Sequence, residues 1–178
     1  MSTTDARMSN DLSRMTKAIL LGGLVAGLLD GLDAVFVIGI LGGVPVIRVF
    51  QFIASGLFGA RAFAGGAETA FIGCVIHFFI ATVAAATYGV LSRFIRPMRR
   101  NPFTWGPLFG VALFGFMHYI VVPLSAAPKQ PPLDARGFAN LVLAHIFCVG
   151  LPIALITNRF QPQTGLTARR AFNGEATT

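Results

Sequence analysis

Apolar residues gather into four blocks along this chain, at 18–40, 69–91, 105–124 and 138–157, separated by short stretches rich in glycine, proline or charge. Each block has about 20 residues, the length a helix needs to cross a hydrocarbon core of about 30 Å. The pattern predicts an all-α integral membrane protein, a four-helix bundle at 18–157. A polar arm, 1–17, precedes it, and a polar tail, 158–178, follows and is expected to be disordered.

The stretch between the first two blocks has a different pattern. Pro45 opens a helix-like run in which Arg48, Gln51 and Ser55 share one side and Val46, Phe50, Ile53 and Leu57 lie elsewhere, an amphipathic arrangement. Glycine pairs at Gly42-Gly43 and Gly65-Gly66 bracket it as turns. We read 44–58 as an interfacial or re-entrant helix after the first span. The loop from Ser125 to Gly137 carries Pro128, Pro131 and Pro132 and is expected to be extended.

Composition agrees with the blocks. Hydrophobic residues make up 54% of the 178 positions and charged ones 12%, and the mean hydropathy is +0.71, values of a membrane protein rather than a soluble core. Arg7, Arg14 and Lys17 precede the first block like the start of a signal peptide. A signal peptide's apolar region runs about 7 to 15 residues, whereas here Ala34 to Ile38 resume the apolar run after Asp33. The block is therefore read as a retained span.

Charge sets the orientation. With four spans, the arm (Arg7, Arg14, Lys17), the second loop (Arg93, Arg96, Arg99, Arg100) and the tail (Arg159, Arg169, Arg170) share one side, leaving only Arg48, Arg61, Lys129 and Arg136 on the other. Basic residues concentrate on the cytoplasmic side, so both termini are expected in the cytoplasm. The net charge of +7 then needs no nucleic acid, since anionic lipid at that face accounts for it. The bilayer is the expected partner, and a second copy or another membrane protein is compatible with the pattern.

Ionisable residues inside spans are costly and mark candidate sites. His77, His118 and His145 fall in three different blocks, and Asp30 and Asp33 fall in the fourth. Gly23, Gly27 and Gly31 recur every four residues, a small-residue stripe that permits close helix approach. Asp30 and Asp33 follow at steps of three on the same side. In the second span Gly73, His77, Ala81, Ala84 and Tyr88 form a similar stripe. At 1.5 Å per residue the two aspartates and three histidines come out at roughly 18 to 22 Å above the cytoplasmic edge, consistent with one polar layer. Cys74 and Cys148 stand three residues from His77 and His145, so each pair can share a helix face. As a pair they do not form a disulfide framework, and buried cysteine is more often a small apolar filler than a ligand.

Three chemistries fit such a layer: a divalent cation such as zinc, iron or manganese, a proton relay, or, less well beside two aspartates, haem held by two histidines. A structural alternative is that aspartate and histidine only hydrogen-bond the helices together. No nucleophile context, phosphate-binding glycine loop or HExxH motif occurs, so nothing points to an enzyme.

The order Gly73-Cys74-Val75-Ile76-His77, Ala86-Thr87-Tyr88-Gly89-Val90, His118 with Val122-Pro123-Leu124, Pro131-Pro132 and His145 resembles the landmarks of YagU-like bacterial inner-membrane proteins. The resemblance covers roughly Thr69 to Leu151. It implies a bacterial inner-membrane location and four or so helices, and it carries no catalytic role onto any position.

Overall fold

A computed structural model describes residues 3–129 and 134–160, which are helical almost throughout and contain no strand. Helix α1 (Thr3–Ala34) continues through a π-helical segment, Val35–Leu41, and helix α2 (Val46–Phe58) runs into a 3-10 turn, Gly59–Ala64. Helix α3 (Gly66–Phe94) is followed by the short α4 (Arg96–Arg100). Helix α5 (Pro102–Phe116), a π-helical segment, Met117–Val121, and α6 (Val122–Leu124) form one rod. Helix α7 (Ala135–Ala144), a third π-helical segment, His145–Gly150, and α8 (Leu151–Phe160) form another. Five stretches, Met8–Leu41, Val46–Ala64, Gly66–Phe94, Pro102–Leu124 and Ala135–Phe160, are long and apolar enough to cross a membrane. Pro131 and Pro132, and the tail beyond Phe160, lie outside the described residues. The N-terminal arm is helical from Thr3, continuing the first long helix outward.

The burial pattern is that of a protein whose solvent is lipid. Large apolar side chains such as Leu20, Leu24, Leu28, Phe71, Phe79, Leu108 and Phe147 point outward, whereas Ala18, Ala26, Ala54, Ala81, Ala84, Ala85 and Ala154 are buried. Between helices in a bilayer there is no hydrophobic driving force, so small residues that allow close backbone packing take the interior. A methyl group on Gly23 would come within 2.6 Å of the Thr82 backbone, and one on Gly27 within 2.7 Å of the Phe78 ring. Gly106 and Gly110 press against Gly150 and the His145 backbone in the same way. Tyr88 fills the space beside these small residues, 1% exposed, its hydroxyl donating to the Met98 carbonyl at 3.2 Å and its ring meeting Phe109 edge-on.

These contacts fix relative direction. Gly23, Gly27 and Gly31 of α1 meet Thr82, Phe78 and His77 of α3 in descending order, so the two helices are antiparallel. Gly22 lies near Ile153 and Ile156 of α8 while Asp33 bonds Asn140 of α7, an antiparallel register again. Gly106 and Gly110 of α5 meet Gly150 and His145 in the same sense. The chain therefore enters and leaves the 42–65 segment at one end of the α1–α3 pair. Gly43 (φ 69°) and Gly66 (φ 58°) take the left-handed conformations that its turns require.

Helix α2 is amphipathic in an inverted sense. Gln51 and Ser55 are buried, while Val46, Ile47, Leu57 and Phe58 are exposed. Gln51 Nε2 donates to the Gly66 carbonyl at 2.9 Å, the Phe50 carbonyl abuts Gly73, and the Ala126 amide donates to the Gly56 carbonyl at 2.9 Å. Arg48 donates to the Phe63 carbonyl at 3.3 Å and its guanidinium lies 5.5 Å from the Phe63 ring centre. The helix thus closes one end of the structure, joining the start of α3 to the end of α6.

Candidate functional site

The candidate site lies where α1, α3 and the α7–α8 rod meet. Helix α1 carries Asp30 and Asp33 one turn apart, just before its π-helical segment at Val35–Leu41. Helix α3 brings His77 across to the glycine stripe, its Nε2 2.9 Å from the Gly27 carbonyl oxygen. A carbonyl only accepts, so Nε2 carries the proton and Nδ1 is the nitrogen left open. A Cβ at Gly31 would sit in ordinary van der Waals contact with this ring, 3.4 Å from Nε2.

His145 has the opposite tautomer. Its Nδ1 donates to the Leu141 carbonyl at 2.9 Å, leaving Nε2 open. One ring nitrogen tied to a carbonyl fixes orientation and leaves the other to titrate or bind. His145 and Cys148 both lie in the π-helical segment His145–Gly150. Pro152 offers no N–H to the Cys148 carbonyl, and Pro123 none to the Tyr119 carbonyl in the rod that carries His118, so a wider turn fits at both places. The wider turns close with Leu151 N–H bonding the Ile146 carbonyl and Val122 N–H bonding the Met117 carbonyl. Such turns recur at functional sites, and here they coincide with two of the three histidines.

The aspartates differ from each other. Asp33 Oδ2 accepts from Asn140 Nδ2 at 3.1 Å, which joins α1 to α7. The Asp30 carboxyl accepts no hydrogen bond from any described residue. Its carboxyl instead lies within electrostatic range of His145, His77 and Asp33, and the Cys148 thiol lies within range of both aspartates. Asp30, Asp33, His77, His145, Cys148 and Asn140 thus form one neighbourhood.

The other sequence candidates lie apart from it. His118 stacks on Phe114, ring centres 5.3 Å apart, and meets Tyr119 edge-on. Phe114 also meets His145 at 5.5 Å, so an aromatic ring stands between the two histidines. Tyr88 is about three turns along α3 from His77 and packs in the core. Cys74 is a free, half-buried thiol one turn from His77. All five residues of the expected layer are partly exposed rather than buried. Among the described residues, no three His, Cys, Asp or Glu side chains converge as a metal-ligand set.

Three features of the site went unread in the sequence: the Asn140 partner of Asp33, the Phe114 ring between His118 and His145, and the glycine contacts of Gly106, Gly110 and Gly150. Only the last had a signal, since Gly106 and Gly110, like Gly150 and Ala154, have the four-residue spacing of a packing stripe. Comparison with family models, with curated proteins and with solved structures returns no match for this chain.

Proposed function

We propose that this chain is a bacterial inner-membrane protein that relays protons through Asp30, His145 and His77. Four rods, α1, α3, α5–α6 and α7–α8, cross the bilayer in this reading, and the segment that includes α2 is re-entrant. The antiparallel contacts of α1 with α3 support it, because 42–65 begins and ends at the same end of that pair. The outward apolar face of α2 supports immersion rather than a surface position. Both termini are then cytoplasmic, on the side that holds ten of the fourteen basic residues. The resemblance to YagU-like proteins fits the same location.

The observation that carries the proton reading is the Asp30 carboxyl. It has two imidazoles within electrostatic range and, among the described residues, no hydrogen-bond partner. A residue serving only to hold helices together has its partner in place, as Asp33 does with Asn140 and His77 does with Gly27. Each imidazole has a single open nitrogen and takes up and returns a proton at that atom. In this reading a bridging water carries the proton between Asp30 and either imidazole. A proton suits this geometry better than zinc, iron or manganese, because among the described residues no three His, Cys, Asp or Glu side chains converge.

Purified protein reconstituted into vesicles should collapse an imposed pH gradient faster than empty vesicles do, and Asp30→Asn should return the rate to that of empty vesicles. Equal rates for wild type and Asp30→Asn would remove Asp30 from the function.

A further inference from the structure

At the basic end of the molecule, α1 and α8 leave an apolar groove of about 380 Å³ lined by Lys17, Leu20, Leu21, Leu24 and Phe160. The three leucines are exposed at 59%, 40% and 50% and lie on one face of α1, at spacings of one and three residues. They lead from Lys17 toward the middle of the span. Lys17 contributes its aliphatic stem to the wall, and a lysine so placed extends its ammonium toward the headgroup level. Arg14 lies one turn away on α1 and Arg159 is next to Phe160 on α8; both are exposed. An open apolar groove with a lysine at its edge and two further basic residues nearby in the chain matches a molecule with a hydrocarbon chain and a negative head.

We infer that this groove holds one acyl chain of an anionic phospholipid, with the lipid phosphate on the Lys17 ammonium. Charge and direction both select this occupant. A zwitterionic lipid gains less from Lys17, and a soluble anion would leave the leucines uncovered. The site is separate from the Asp30 neighbourhood, which lies about two to three turns further along α1.

The full-length protein, stripped of lipid in detergent, can be titrated with dioleoyl-phosphatidylglycerol or dioleoyl-phosphatidylcholine and the one-lipid complex counted by native mass spectrometry. Wild type should retain the anionic lipid about fivefold better, the effect of one basic residue at a membrane surface. Lys17→Gln should remove that preference. Leu21→Trp, which fills the groove and leaves the charge, should lower retention of both lipids. Arg100→Gln, a charge change in α4 at the same end and outside the groove, should leave the preference as it was. No preference in wild type, a preference that survives Lys17→Gln, undiminished retention by Leu21→Trp, or an equal loss in Arg100→Gln would each overturn the assignment.

Discussion

The Nε2 atom of His77 on α3 lies 2.9 Å from the carbonyl oxygen of Gly27 on α1, two residues separated by 50 positions in the chain. The same glycine has no side chain to keep Phe78 away, so one turn of α1 provides both the close approach and the acceptor. Replacing His77 by Ala removes the bond but not the approach. It should lower stability in detergent by about 1 kcal/mol, the scale of a polar contact between membrane helices. Chemical or thermal unfolding followed by circular dichroism measures it, and an unchanged midpoint would show that the bond contributes nothing.

Packing at the stripe should be more sensitive than the bond. Gly27→Leu drives a side chain into the Phe78 ring, whereas Leu24→Ala trims a residue that is half exposed to lipid. Overpacking of this kind costs about 1 to 3 kcal/mol, so Gly27→Leu should unfold well before Leu24→Ala in the same assay. Equal stability of the two variants would deny the close contact of α1 with α3.

Topology has its own test. Cysteines placed at Arg61 or Lys129 in an otherwise cysteine-free background should react with a membrane-impermeant maleimide added to intact spheroplasts. Cysteines placed at Arg14 or Arg100 should react only after lysis. Labelling of the Arg14 position in intact spheroplasts would mean that Val46–Ala64 crosses the bilayer and that the re-entrant reading is wrong.

Much of this architecture could be read from local pattern, and the limits of local pattern explain the rest. The apolar blocks and the stripe of Gly23, Gly27 and Gly31 are properties of short windows, and so is the proline-opened helix at Val46. The separation of His118 from Asp30 is not. It depends on how the α5–α6 rod, whose Gly110 meets the His145 backbone, is rotated against α7–α8. Depth along the span put His118 level with the other histidines, but equal depth says nothing about which side of a helix a ring occupies. Asn140 is a lone amide near the start of a span, and only the fold shows that it lies against Asp33. The polar side of α2 was visible as a face, but the sequence alone does not say that this face turns inward.

The contrast between the two aspartates gives the sharpest test of function against structure. Asp33 is tied to Asn140, while the Asp30 carboxyl has no such bond among the described residues. Proton flux and unfolding should therefore be measured side by side, in vesicles and in detergent, for wild type, Asp30→Asn and Asn140→Ala. The account predicts that Asp30→Asn abolishes collapse of the pH gradient and unfolds within about 0.5 kcal/mol of wild type, and that Asn140→Ala loses about 1 kcal/mol of stability while flux persists. A wild type that moves no protons, or an Asp30→Asn variant that conducts as wild type does, would contradict it.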